Sequence, residues 1–495
     1  LDAATIATLP ASPKSIAAPP VLPTCVCELS PRARRWWRAA GLAPILPAMA
    51  TRTAGARRGN VSDNTTRVFS GRKTSTGFMA SWWKFPTAVW LVQLLVVQIT
   101  ASLAYAYGTP TAPSNPRDHP FVPLGGWVGK IVDPLQLWDG LWYRLIADEG
   151  YAQWPAKAAF WPMFPWMMRV LHDLTGMSYE LAGFLIVNIC FLIALILLYQ
   201  LVMIDFDASV ASVTLIALAV FPTSFFFRIV YTEAPFLMFC VAALLCARLG
   251  RWWWAGVFGA FAALTRSYGM FLVLPFAVLF WEQYGATIRK RIPVTLLAVP
   301  MPLLGPAIFS WRMKVIFDDW LMWKNIQEQW ARYSAKPWET LVWAFQERSP
   351  ENLIHYARNP GLGGDGADWG WLHDLWSQHS WALIASNRWR MDMANSDTLE
   401  LICTILFIVL AIIGLRILPL YMSAFTIPGL VVPLFQPSYV HTLMSMPRFG
   451  LTLFPLFIVL GVLAAKSRIG IPLAAFSTVL LILFTIQFST WYWVS

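Results

Sequence analysis

The sequence predicts an all-α polytopic membrane protein with about 10–11 transmembrane helices and amphipathic helices in its outer loops, on three observations. The first is composition. Of 495 residues, 57% are hydrophobic and only 13% charged, and the mean hydropathy is +0.55. In water so apolar a surface would cost about 25 cal/mol per Å²; lipid removes that cost. The second is a series of apolar runs near 85–106, 180–203, 208–227, 234–250, 252–265, 268–284, 293–313, 399–415, 417–435, 449–465 and 469–488. The third is that Lys and Arg fall on one side when these runs alternate across a bilayer: Lys84, Arg248, Arg251, the Arg289-Lys290-Arg291 cluster, Arg416, Lys466 and Arg468. By the positive-inside rule that side is cytoplasmic.

Each element follows from this scheme. A transmembrane helix needs about 20 apolar residues. The run 252–265 is shorter, so it and 268–284 are expected to be a broken pair whose junction is buried in protein. Residues 107–179 and 314–398 then form long outer segments, with short outer turns at 227–233, 265–268 and 436–448. The segment 314–398 carries Trp320, Trp323, Trp330, Trp338, Trp343, Trp369, Trp371, Trp376, Trp381 and Trp389. Such a stretch suits amphipathic helices lying along the membrane surface. In the first outer segment "DPLQLWDGLWYRLIADEGY" predicts a short helix, with Pro134 in its first turn and Gly150 as its C-terminal cap. Residues 79–495 are read as one membrane-embedded domain.

Charge and cysteine content remove other classes. The formal charge is +11, but residues 1–78 hold eleven Lys/Arg against three Asp/Glu, leaving the remainder near neutral. No nucleic-acid partner is therefore expected. That segment reads as a basic disordered tail, with Met79 a plausible true start and binding to anionic lipid its functional alternative. The six cysteines form no CxxC pair, and Cys190, Cys240, Cys246 and Cys403 sit in apolar runs as packing residues. The histidines show no metal-binding spacing; His441, beside "MPR", is the one to watch. "DFD" at Asp205–Asp207 resembles a metal motif, but Asp207 is better placed as a helix N-cap. Asp318 and Asp319 read as a second acidic site or, better, as helix-capping, and "NPGLGGDGADWG" lacks the Lys-Ser/Thr of a phosphate loop.

The candidates for chemistry lie on the outer side. Asp139, Trp142, Tyr143 and Ile146 share a helix face, so Asp139 is a carboxylate bracketed by aromatics. It is suited to act as general base toward a sugar hydroxyl, or alternatively to solvate a surface helix. Arg266 stands at the break in "LTRSYG" and Arg448 in "SMPRFG" at an outer turn. Arginine at membrane depth is costly unless paired, and a guanidinium suits a phosphate leaving group; snorkelling anchors are the alternative. Glu233 in "YTEAPF" either pairs with an arginine or helps hold an acceptor. Arg144, on the opposite face from Asp139, reads as a structural or headgroup contact.

Taken in order, "WDGLWYRLIADEGY", "AAFWPMFP", "FPTSFFFRIVYTEAPF", "AALTRSYG" and "SMPRFGLTLFPLF" resemble the signature blocks of PIG-V-like (GPI mannosyltransferase 2-like) integral-membrane mannosyltransferases, bacterial members most closely. The resemblance covers about residues 130 to 465. It implies a GT-C type glycosyltransferase fold and a polyprenyl- or dolichyl-phosphate-mannose donor. It further implies an inverting transfer to a glycolipid or lipid-linked acceptor, with Asp139 as base. No cofactor or metal is required by that scheme. Trp138, Tyr143, Arg144, Tyr231, Glu233, Arg266 and Arg448 are the expected substrate-binding set. The sequence departs from the family in its tail, in Arg228 within "FFFRIVYTE" and in its Trp-rich 314–398 segment, so the GPI precursor does not carry over as the acceptor. The expected location is a bacterial plasma membrane (endoplasmic reticulum in a eukaryote), with the site on the outer or lumenal face. A GT-C transferase of another sugar or a protein acceptor stays open, as does a lipid-linked sugar transporter or flippase.

Overall fold

The computed structural model describes residues 82–108, 123–288, 292–330, 332–346, 397–438, 442–465, 467, 469–491 and 494, all within one compact unit, Thr74–Ser495. The expected tail, the Arg289-Lys290-Arg291 cluster, His441, Lys466, Arg468 and the tryptophans from Trp369 to Trp389 lie outside the described residues. Among the described residues the fold is all-α, with one isolated antiparallel bridge between Arg332 and Ser438.

The first apolar run forms α1 (Lys84–Tyr107). The outer segment that follows holds α2 (Gly126–Val132), α3 (Asp139–Glu149) and α4 (Met163–Thr175). The middle of the chain forms α5 (Tyr179–Asp205), α6 (Ala208–Val220), α7 (Glu233–Arg248), α8 (Trp252–Thr265), α9 (Val273–Ile288) and α10 (Leu304–Phe317). Short helices α11 (Met322–Asn325) and α12 (Pro337–Gln346) follow. The last part of the chain is α13 (Asp397–Ile417), α14 (Leu420–Leu434), α15 (Met446–Leu451), α16 (Phe454–Ala464) and α17 (Gly470–Ser489).

Six segments are long and apolar enough to cross a membrane: α1, α5, Ser267–Ala286, Val294–Phe317, Leu399–Ile417 and α17. Their outward side chains are large and apolar, among them Val92 and Ile99 on α1 and Ile471, Phe476 and Val479 on α17. Water would not tolerate so continuous an apolar surface; the chain is a multi-pass membrane protein. The other runs form shorter helices: α8 and α14 still expose large apolar residues such as Trp254 and Leu420, whereas others are enclosed. α7 is the clearest, buried around nearly its whole circumference and packed between α5 and α8. A helix apolar on all sides belongs in an interior. Its 16 residues span about 24 Å, short of a hydrocarbon core of about 30 Å. Irregular backbone at 221–232 continues the path, which membrane depth permits only where protein covers it.

Three expectations need adjusting. The run 208–227 is helical only to Val220 and then turns through a 3₁₀ segment at Ser224–Phe227. The run 449–465 is divided between α15 and α16, because Leu453 leaves helical geometry and Pro455 opens the next helix. Pro134 lies in a separate 3₁₀ turn, Asp133–Leu135, and α3 begins only at Asp139. Gly150 does cap α3, at φ +75°, and Asp207 caps α6 by accepting from the Ser209 and Val210 amides at 3.0 Å.

Candidate active site

α3 is placed by the turn before it. Trp138 takes φ 55°, a left-handed conformation that costs a non-glycine residue about 1–3 kcal/mol. The turn is pinned from both sides. The Val230 amide donates to the Leu135 carbonyl at 2.9 Å. The Asp139 amide donates to the Tyr231 hydroxyl at 2.9 Å, which donates in turn to the Leu137 carbonyl at 3.2 Å. The Trp138 indole meets Trp491 edge-on, with centroids 5.7 Å apart. The strained residue is thus over-determined by its surroundings, and Asp139 stands at the helix start beside it.

Arg266 and Arg448 reach the same place by different local devices. α8 ends at Arg266, which turns to extended backbone (φ −152°) before the 3₁₀ segment Ser267–Leu272. Gly269 makes that fold-back possible: a Cβ there would lie 2.3 Å from the Ala263 nitrogen. Arg448 sits in α15, entered through Ser445 at φ 71°. α15 packs against α13 so closely that a Cβ on Gly450 would strike the Phe407 ring at 2.0 Å.

These elements bring four charges into one chain of ion pairs. Arg448 Nη1 donates to Asp139 Oδ2 at 2.7 Å, and Arg448 Nε donates to Glu233 Oε1. Arg266 Nη1 lies 3.1 Å from that same Glu233 oxygen. The partners are up to 309 residues apart in sequence. Burial is graded along the chain: the Glu233 side chain is fully enclosed, whereas that of Asp139 keeps 15% of its surface exposed. Two carboxylates balance two guanidiniums, which is what allows them to sit in apolar surroundings. The Arg448 guanidinium also lies 4.6 Å from the centre of the Tyr231 ring and 5.4 Å from that of Phe226, and Arg266 faces Phe449 at 5.3 Å.

The remaining expected residues divide. Tyr143 is beside the cluster, its hydroxyl 3.3 Å from that of Thr232. Burial pushes its phenol up to about 12, so it is a hydroxyl and not a base at neutral pH. Arg144 turns away, its Nε 3.6 Å from Glu180 on α5, in keeping with a structural contact.

Sequence reasoning missed Arg332 and named Trp330 only as one of many tryptophans in its segment. The chain at 332–335 runs beside 435–438: the Tyr333 amide donates to the Pro437 carbonyl and Ala335 to Phe435, each at 3.1 Å. Arg332 donates to the Gln436 and Met444 carbonyls at 2.9 and 3.2 Å and shares the Phe449 ring with Arg266, at 5.9 Å. Trp330 meets Trp142 edge-on at 5.3 Å and Phe160 at the same distance, while Trp142 stacks on Phe160 at 5.8 Å. This aromatic wall adjoins the Asp139 face of α3. The tryptophan density of 314–398 was the available signal; it did not say which residues turn inward.

The family described as dolichyl-phosphate-mannose-protein mannosyltransferase matches residues 156–311, a stretch that holds Glu233 and Arg266 but neither Asp139 nor Arg448. No curated protein matches the chain. Among solved structures it is similar to the Archaeoglobus fulgidus oligosaccharyltransferase in its apo form. The identity there is 13% and the TM-score 0.39, over 83% of this chain and 57% of that one. It is also similar to ArnT from Cupriavidus metallidurans bound to undecaprenyl phosphate, with 14% identity and a TM-score of 0.33 over 78% of each chain.

Proposed function

We propose that the protein is a membrane glycosyltransferase that moves a mannosyl residue from a polyprenyl-phosphate donor to a glycolipid or lipid-linked acceptor on the non-cytoplasmic face. The observation that carries this reading is the convergence of Asp139, Arg448, Glu233 and Arg266 at one partly open point on a membrane-embedded frame. The description of the family matched at residues 156–311 supports a lipid-phosphate-mannose donor.

The ion-pair chain gives the residues their roles. The leaving group is a phosphate whose negative charge grows as the C1–oxygen bond breaks. Arg448 and Arg266 are the cations within reach of one another, and Arg332 adds a third guanidinium beside Phe449. As the donor phosphate draws Arg448 to itself, Asp139 is released from its partner. The acceptor hydroxyl attacks C1 from the side opposite the phosphate, and its proton passes to Asp139. Polyprenyl phosphate departs with the bonding electron pair, so the configuration at C1 inverts. Glu233, enclosed between two arginines, holds both in register. The wall of Trp142, Phe160 and Trp330 offers apolar faces for a pyranose ring to lie against.

The test is transfer from radiolabelled polyprenyl-phosphate-mannose to a total lipid extract, with folded wild type and Asp139→Asn side by side. Labelled glycolipid from wild type alone is expected, together with release of free polyprenyl phosphate. Equal transfer by the variant would remove Asp139 from its role, and no transfer by folded wild type from this donor would sink the mannosyl assignment.

A further inference from the structure

A second site stands at the other end of α3. Its wall is formed by Ile146, Ala147, Gly150 and Tyr151 with Pro165, Trp166 and Arg169 of α4 and Arg312 of α10, around a cavity of about 160 Å³. Ile146 is seven residues beyond Asp139, about 10 Å along the helix, so this cavity is separate from the ion-pair chain.

Its depth in the bilayer follows from two helices. Arg312 lies five residues before the end of the membrane-length segment Val294–Phe317, about 7.5 Å from that end, beside the exposed Trp311. On α4 the exposed large residues are Trp166 at 43%, Val170 at 57% and Leu174 at 78%. Their spacing of four makes one apolar stripe. Among the described residues that stripe is left exposed, and a helix of this kind lies in the membrane interface. Exposed tryptophans on both helices belong at headgroup level. Arg169, one turn from Trp166, stands next to the stripe.

The two guanidiniums of the cavity wall are weakly committed. Arg169 donates from Nη1 to the Ala147 and Asp148 carbonyls at 3.2 Å each, and its Nε is 3.9 Å from Asp173. Both side chains of that pair are more than half exposed, so the pair itself contributes little. Arg312 is exposed on the lipid-facing helix. Two guanidiniums beside an interfacial tryptophan, at the depth where lipid phosphates lie, fit one ligand by charge and by place.

We infer that this cavity binds the phosphate headgroup of an anionic membrane lipid through Arg169 and Arg312, with its acyl chains along the Trp166–Leu174 stripe. The lipid rests against the last turn of α3, so its occupancy steadies the helix that presents Asp139. The inference needs only the membrane placement of the chain and stands apart from the transfer reaction.

Native mass spectrometry of the full chain, released from nanodiscs of phosphatidylcholine with phosphatidylglycerol, provides the test. Wild type should retain one phosphatidylglycerol in preference to phosphatidylcholine, and Arg169→Gln/Arg312→Gln should lose at least five-sixths of that retention at an unchanged melting temperature. The charge-keeping Arg169→Lys/Arg312→Lys variant, which also guards against misfolding, should keep most of it. Inorganic phosphate at millimolar concentration should displace little, since it brings no acyl chain to the stripe. Equal retention by wild type and the glutamine variant would overturn the site, as would equal retention of the two lipids. Full displacement by free phosphate would overturn the lipid as ligand.

Discussion

Arg228 and Arg448 are both buried guanidiniums laid against aromatic rings, and the irregular segment 221–232 serves both. Arg228 lies between Trp90 and Phe191, at 4.9 and 5.0 Å. It donates to Gln93 Oε1, to Asn188 Oδ1 at 2.6 Å and to the Trp90 carbonyl at 2.5 Å. Arg448 instead meets two carboxylates and opens toward the surface through Asp139. On the proposed function, the difference separates a structural from a functional arginine. Neutral oxygens on α1 and α5 fix Arg228 in place and leave it nothing to exchange. Carboxylates hold Arg448 through charged hydrogen bonds, and an incoming phosphate supplies the same charge and acceptor oxygens, so the partnership can be traded.

The sharpest test of that contrast is Asp139→Asn, which keeps an oxygen to accept from Arg448 but removes the base. A rate loss of about 10²–10⁴ is expected, in a protein whose melting temperature in detergent stays near wild type. Arg448→Gln comes next, with a loss of about 10²–10³ from the missing phosphate contact. Unlike the first, it should also lower the melting temperature, because Glu233 keeps only Arg266. If Arg448→Gln were as active as wild type, the two arginines would be alike after all.

Asn188→Leu probes the other member of the comparison. It withdraws one of the acceptors of a buried cation, and hydrogen bonds to charged groups are worth about 1.5–3 kcal/mol. The expected result is a destabilisation of that size in thermal unfolding, with transfer per folded molecule unchanged. A variant that keeps its stability but loses transfer would assign Arg228 to the reaction.

How far these roles were readable in the sequence depends on what fixes them. The apolar runs were legible because lipid demands apolar helices, and each of them contains helix, although 208–227 and 449–465 are interrupted by turns. Asp139, Glu233, Arg266 and Arg448 stood out because charge is conspicuous in apolar surroundings. That Glu233 pairs with an arginine was one of the two expected readings, but which arginines it meets, and the Asp139–Arg448 pair, were not legible: they join residues 215 and 309 positions apart, and no local pattern encodes that. Arg332 was hidden for the opposite reason, since an arginine in a polar loop looks ordinary until the chain at 332–335 lies beside 435–438. Pro134 misled because prolines favour first turns; the strained Trp138 intervenes, and strain of that kind arises from tertiary contacts. Arg228 was visible only as a departure from a pattern, without its cage.

The smallest effect expected is at Trp491, and it tests whether the strain at Trp138 matters to Asp139. Edge-on aromatic pairs contribute about 0.5–1.5 kcal/mol, so Trp491→Ala cannot abolish a turn that is also held by Tyr231 and Val230. It should let Trp138 relax part of the time, leaving Asp139 misplaced in a fraction of molecules. A loss of about two- to thirteenfold in kcat is the corresponding range, with KM for the donor little changed because the arginines stay put. Trp491→Phe, which keeps an aromatic edge, should recover most of the rate. A loss confined to KM would place Trp491 in donor binding, and no loss in either constant would mean that the Asp139 and Val230 amide bonds hold the turn without it.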